Sequence, residues 1–262
     1  MRLQENKVAV VVGASRGIGR SSALALARAG SDVVVAARDE RDIKSLAKEI
    51  EGMGRRSLAV KVDVKKKADI ENLVQQTVDK FGGVDILVYS SGVIFVERTL
   101  AESKDENFEE TMAVNVRGAY WAMREALNRG RMLERGSGRI IVIASDSAKK
   151  GEAGLAVYNA SKHAVLGLVR GLAMEVGAMG IIVNAVCPGF VWTKMAQDAA
   201  PQLAEIYGIP PEGMDEFLKS LDPLKRIATP EEVADVVVFL AMTTGGGVMT
   251  GQGLCMATTT LS

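Results

Sequence analysis

The chain is poor in the residues that build metal and disulfide frameworks. It has two cysteines, Cys187 and Cys255, and one histidine, His163, among 262 residues. No CxxC pair and no Cys/His cluster occurs, which argues against a zinc site. A chain of this length buries enough surface to fold without a disulfide or metal staple, so the two thiols are expected to be buried and reduced, as in an intracellular protein. Charge of one sign is missing too: Lys plus Arg and Asp plus Glu are both 32, a formal net charge of zero. A nucleic-acid binder would carry a basic excess, and no basic run exceeds Lys65-Lys66-Lys67. Proline is scarce, at six residues, and 48% of the chain is hydrophobic, which excludes a disordered or collagen-like chain. No secretory signal is expected, because Glu5 precedes and Arg16 closes the apolar run Val8 to Ala14. The uncharged stretches Val176 to Thr193 and Val236 to Ser262 are broken by Asn184, Pro188 and Gly245-Gly246-Gly247, so they suit a buried α/β core rather than a membrane span.

What is present is an alternation of short β-branched runs with longer helical segments. Strands are expected at Lys7 to Val12, Asp32 to Ala37, Ser57 to Val62, Asp85 to Ser90, Arg139 to Ala144, Gly180 to Val186 and Gly253 to Ala257. Helices are expected at Ile18 to Ala29, Asp39 to Ile50 with Asp39 as its cap, Ala68 to Phe81, Glu106 to Arg129, a segment with Tyr158 near its start, and Glu231 to Met242, opened by Thr229-Pro230. Continuous apolar strands suit parallel pairing with both faces covered. The expectation is an α/β, Rossmann-type, doubly wound parallel sheet of seven strands with helices on both faces. No composition break divides residues 1–262, so one domain is expected, with Phe190 to Pro223 as an inserted lid. In that segment Trp192, Met195, Leu203, Ile206, Tyr207, Met214 and Phe217 are interspersed with acidic residues, a mixture that suits an amphipathic cover over an apolar pocket.

Two constellations carry chemistry. Gly13, Gly17 and Gly19, with Ser15, Arg16 and Ile18 between them, follow the first strand and open the first helix. Glycines there let the backbone approach a pyrophosphate, and the helix N-terminus offers free N–H groups. The second strand ends at Ala37-Arg38; an arginine there can receive the 2′-phosphate of NADP, and Arg16 can reach the same group. NADP(H) is therefore the preferred cofactor, with NAD(H) kept open by Asp39. The second constellation is Tyr158-Asn-Ala-Ser-Lys162, which places a phenol and an ammonium on one helical face. A nearby Lys⁺ would lower the tyrosine pKa from its usual value near 10 and make Tyr158 a proton donor and acceptor.

With these accompaniments the sequence resembles the classical short-chain dehydrogenase/reductase family from about Lys7 to Gly253. Gly13, Gly17 and Gly19 match its cofactor loop, Asp63-Val64 its pair near the adenine, and Asn115, in Met-Ala-Val-Asn-Val-Arg-Gly, its catalytic asparagine. Ser145, thirteen residues before Tyr158, matches its catalytic serine; Ser147 is a neighbour at the wrong spacing. Tyr158 and Lys162 match its tyrosine and lysine, while Pro188-Gly189 and Thr193 match the segment that contacts nicotinamide. The resemblance implies hydride transfer to a carbonyl carbon, proton donation by Tyr158, placement of the oxygen by Ser145, a ribose and pKa role for Lys162, and an Asn115-anchored water leading to solvent. Ser161 and His163 are expected to point elsewhere, with His163 structural. Two departures stand out. The fourth strand ends Tyr89-Ser90-Ser91-Gly92 where the family usually has Asn-Asn-Ala-Gly; Gly92 keeps the close approach but both amides are gone. The C-terminus reads Met256-Ala257-Thr258-Thr259 where Val-Asp-Gly-Gly is common, in a region that often forms a subunit interface.

The general look is that of 3-oxoacyl thioester reductases, including the acyl-carrier-protein type. Dehydrogenases of polyols, cyclic alcohols, hydroxybutyrate or steroids share every motif named. A silent nucleotide-binding regulator is argued against by the intact Asn115, Ser145, Tyr158 and Lys162, and a nucleotide-sugar epimerase by chain length and glycine spacing. The implied partners are a small-molecule carbonyl or alcohol and further copies of the chain, as a homotetramer or homodimer, in the cytoplasm, with no nucleic acid, membrane or metal.

Overall fold

A computed structural model describes residues 7–242 and 245–256 of the chain. The expected alternation is present. In chain order the elements are β1 (Val8–Val12), α1 (Gly17–Arg28), β2 (Asp32–Ala37), α2 (Glu40–Gly52), β3 (Ser57–Lys61), α3 (Lys67–Phe81) and β4 (Ile86–Tyr89). There follow α4 (Asp105–Thr111), α5 (Gly118–Leu127), the short α6 (Met132–Arg135), β5 (Gly138–Ile143), α7 (Ala156–Val176), β6 (Ile181–Pro188), α8 (Lys194–Tyr207), α9 (Met214–Leu221), α10 (Pro230–Ala241) and β7 (Gly253–Met256). The seven strands form one sheet in the order β3-β2-β1-β4-β5-β6-β7. Every pairing is parallel. The expected end of the seventh strand at Ala257, and the Thr258-Thr259 departure beyond it, lie outside the described residues.

Alternate residues of each strand feed opposite cores. Val10 and Val12 join Leu87, Ile140, Leu73, Ala122 and Val165 under α3, α5 and α7. Ala9 and Val11 join Val33, Leu26, Ile43 and Val237 under α1, α2 and α10. Parallel strands covered on both faces must be apolar on both, which is why these runs do not alternate with polar residues. Asp39 caps α2, its Oδ1 accepting from the backbone N–H groups of Arg41 at 3.0 Å and Asp42 at 3.1 Å. Thr229 and Glu232 close a reciprocal capping box at the start of α10, with Pro230 as its first residue. The order reverses between β1 and β4, and in open parallel sheets the crevice beyond such a reversal is where ligands bind.

The long helix expected from Glu106 to Arg129 is not continuous. Between α4 and α5 the backbone forms a π-helical turn, Met112–Arg117, and the helical run ends at Leu127. Tyr89 supports that turn: its buried phenol donates to the Val114 carbonyl at 2.5 Å. A side chain at Gly118 could not coexist with it, since a Cβ there would sit 2.4 Å from the Tyr89 oxygen. Tyr89, conspicuous in the sequence as a departure, thus spans from the strand end to the turn that carries Asn115. Tyr89→Phe leaves a buried carbonyl without its donor and is expected to cost about 1–3 kcal/mol of stability. Chemical denaturation would show it as a lower midpoint at unchanged slope; an unchanged midpoint would mean the bond contributes nothing.

Candidate active site

The crevice beyond β1 and β4 is a cavity of about 460 Å³. One end is bounded by Gly13, Ser15, Arg16, Gly17 and Ile18 of the first loop, by Arg38, and by Asp63 and Val64 after β3. Gly13 has a φ of +88°, and a Cβ there would lie 2.6 Å from the Ser91 backbone nitrogen. A Cβ at Gly19 would lie 2.1 Å from the Gly13 carbonyl, so Gly19 serves the fold of the loop and does not itself line the cavity. Arg16 precedes α1 with no side-chain cap, so the first N–H groups of that helix keep no partner from it. This glycine cradle at a helix start, flanked by two arginines, fits the phosphates of a dinucleotide. Thr193, which also caps α8, lies over the loop: a Cβ at Gly17 would be 3.3 Å from its methyl group. Ser90, Ser91 and Gly92 line the middle of the crevice, with Pro188 and Gly189 opposite at the end of β6.

At the other end the structure brings together Ser145, Tyr158 and Lys162, all lining the cavity. Ser145 follows β5 in extended conformation, and its Oγ accepts from the Ser147 backbone N–H at 3.2 Å. Its hydroxyl is within hydrogen-bonding reach of both Tyr158 and the Asp146 carboxylate, at 3.2 Å from Asp146 Oδ1. Lys162 Nζ donates to the Ile143 carbonyl at 3.1 Å and lies 5.5 Å from the centroid of the Tyr158 ring. Asn115 stands behind the cavity. Its Nδ2 donates to the Val93 carbonyl and to Ser161 Oγ, both at 3.0 Å, and its Oδ1 accepts from the Val93 N–H at 2.8 Å. Gly92 sits between them: a Cβ there would be 3.6 Å from Asn115 Oδ1 and 3.7 Å from Lys162 Nζ.

Two expectations change. Ser161 does not point away from the site; it accepts from Asn115 and donates to the Tyr158 carbonyl at 2.7 Å. The Asn115 side chain meets protein groups on both its oxygen and its nitrogen and spans the β4 end and α7. The Tyr158 pKa lies above its usual value in this structure, not below it. Burial pushes the Tyr158 phenol well above its usual value; the Ser145 hydroxyl works the other way, and the charges of Asp146 and Glu152 push it higher. Burial also pulls Lys162 down, to about 8. His163 Nδ1 lies 2.9 Å from the Asn159 carbonyl.

Beyond Tyr158 the cavity is lined by Ile94, Leu155, Phe190, Met195, Ala199, Leu203 and Leu218. Several come from α8 and α9, the helices into which the segment after Phe190 folds. Ala199, Leu203, Ala204, Met214 and Leu218 form a small core with Leu155, against which Tyr158 and Phe190 pack. A charged group missed from the sequence also lines this end: Asp146, Lys150 and Glu152. Its sequence signals are an aspartate directly after Ser145 and a lysine four residues further on.

Residues 7–204 match the family model described as short chain dehydrogenase. A Streptomyces coelicolor protein named "Putative ketoacyl reductase" is 37% identical over 254 residues, 97% of each chain. A D-beta-hydroxybutyrate dehydrogenase of Rhizobium meliloti is 34% identical over 240 residues, 90% of this chain and 91% of its own. Among solved structures, a variant of actinorhodin polyketide ketoreductase with NADPH superposes with a TM-score of 0.92 at 35% identity, over 98% of each chain.

The cradle predicts that Gly13→Ala, which drives a methyl group into the Ser91 backbone, weakens dinucleotide binding at least tenfold, about 1.4 kcal/mol. Calorimetry would measure it, and an unchanged dissociation constant would remove Gly13 from the binding loop.

Proposed function

The chain belongs to the short-chain dehydrogenase family, and from that premise we propose that it is an NADP(H)-dependent oxidoreductase that reduces the ketone of a 3-oxoacyl thioester or a related β-ketone. The observation that carries the proposal is the convergence of Ser145, Tyr158 and Lys162 at one end of a crevice whose other end is a glycine cradle beside Arg16 and Arg38. NADPH, when bound, supplies the hydride that the carbonyl carbon receives. The residues of the chain govern the oxygen. Ser145 and Tyr158 would hold it between two hydroxyl groups. Tyr158 would give it a proton, and burial keeps the phenol in the protonated form that this direction requires. Lys162, as an ammonium, would stabilise the phenolate left behind. Asn115 fixes Lys162 and Tyr158 through Ser161, and Pro188, Gly189, Gly92 and Thr193 would border the nicotinamide. Gly17, Ser15, Ile18, Asp63 and Val64 would hold the rest of the dinucleotide.

Two arginines at the adenosine end favour the 2′-phosphate and support NADP(H) over NAD(H); Asp39, whose Oδ1 caps α2, also lines that end. The similarity to a ketoreductase described with NADPH agrees. We take residues 1–262 as one domain whose segment 190–223 acts as the substrate lid. Its apolar inner face suits a ketone on an acyl or polyketide chain more than a polyol. The exposed Phe108 and Tyr120 on α4 and α5 favour assembly as a homotetramer or homodimer. Free Cys187 and Cys255 fit a reducing, cytoplasmic setting. No helix among the described residues is long and apolar enough to cross a membrane.

The test is NADPH oxidation with an acetoacetyl thioester. Tyr158→Phe is expected to lower kcat by roughly 10²–10⁴ and to leave the NADPH dissociation constant nearly unchanged; retained turnover would refute the proton-donor role. Arg38→Asp is expected to move the ratio of kcat/KM for NADPH over NADH toward NADH by at least tenfold, about 1.4 kcal/mol. An unmoved ratio would show that Arg38 does not meet the 2′-phosphate.

A further inference from the structure

We propose that Asp146, Lys150 and Glu152 make the substrate end of the crevice select neutral ketones and exclude β-keto carboxylates. The inference rests on the reduction proposed above and narrows its substrates to esters, thioesters and uncharged polyketones. Asp146 is buried and directly follows Ser145. Its Oδ1 lies 3.2 Å from Ser145 Oγ and its Oδ2 pairs with Lys150 Nζ at 2.7 Å. The same ammonium reaches Glu152 Oε1 at 3.4 Å, and Glu152 accepts from the Ser147 hydroxyl. All three side chains line the cavity. Two carboxylates and one ammonium give the group a net charge of −1.

The position of that charge decides its effect. The oxygen to be protonated must lie against Ser145 and Tyr158. A β-keto acid carries its carboxylate one methylene beyond the carbonyl carbon, so its charge stays close to an oxygen held at Ser145, whose Oγ is 3.2 Å from Asp146 Oδ1. In a partly desolvated crevice like charges at such distances repel strongly. The field of the group does reach the reacting oxygen, since Asp146 and Glu152 both hold the Tyr158 phenol up. From the lid, Tyr207 meets the same Glu152 charge, opposed by Lys150. The remaining charges of the lining are mixed. Lys162 Nζ donates to the Ile143 carbonyl and lies 5.5 Å from the Tyr158 ring centroid, so its charge offsets part of that of the group at the reacting oxygen. Lys194 is paired with Asp198 and Arg226 with Glu232, while Asp222 adds another carboxylate to the lining. An ester or thioester keeps the shape of the acid and removes the repulsion.

The experiment compares methyl acetoacetate with acetoacetate at pH 7, in the wild type, Asp146→Asn and Glu152→Gln. The ratio is read twice: as kcat/KM, and as dissociation constants from calorimetry on the NADPH-loaded protein. The expected result is an ester-over-acid preference of at least roughly tenfold in the wild type, falling severalfold in each variant. Equal handling of acid and ester, or a preference that neither variant changes, would overturn the inference. If neither compound is turned over, the proposed reduction fails for this class, and the binding ratio alone still decides the charge selection.

Discussion

Asn115 holds the site together. One buried amide ties both backbone groups of Val93, just past the end of β4, to Ser161 on α7. A buried amide with both ends satisfied has one low-energy placement, because any shift leaves a desolvated donor or acceptor without a partner. Tyr158 and Lys162 are on the helix so fixed, one turn apart, and Gly92 is on the segment so fixed. The π-helical turn at Met112–Arg117 aims the asparagine, and Tyr89 holds that turn from the strand below. Single turns of this kind inside α-helices recur at functional sites, where an extra residue re-aims a side chain.

The crevice divides its labour by residue type. The dinucleotide end is backbone and guanidinium, with glycines where a Cβ would strike another strand or the loop itself. The chemical end is buried hydroxyl, phenol and ammonium, and burial drives the last two toward their uncharged forms. Beyond it the wall becomes aliphatic, supplied largely by α8 and α9. The group formed by Asp146, Lys150 and Glu152 interrupts that wall beside the reacting atoms.

Much of this was legible in the sequence. Strand positions followed from β-branched runs that parallel pairing requires, and the observed β2, Asp32–Ala37, coincides with the expected one. The loop at Gly13, the pair at Tyr158 and Lys162, and the helix caps at Asp39 and Thr229 were readable because local spacing determines them. The π-helical turn was not: residues 106–129 have continuous helical composition, and one residue of slippage leaves the apolar period nearly intact. The role of Ser161 depended on that turn, since only the observed placement of Asn115 brings the two together. The charge group was hidden because the i,i+4 spacing of Asp146 and Lys150 falls in the turn after β5 rather than in a helix, and Glu152 joins them only through that turn. The raised Tyr158 pKa was missed because proximity to lysine in sequence says nothing about how deeply both are buried.

In the proposed reaction the crevice passes a hydride from nicotinamide to a ketone carbon while Tyr158 supplies the proton. The most direct measurement uses NADPH carrying deuterium at both C4 positions, an acetoacetyl thioester and the wild-type protein, with the product read by mass spectrometry. The expected product is a 3-hydroxyacyl thioester carrying a single deuterium on the carbinol carbon, formed at least roughly a hundredfold more slowly by Tyr158→Phe under the same conditions. Unlabelled product, or equal labelled product from the variant, would contradict it.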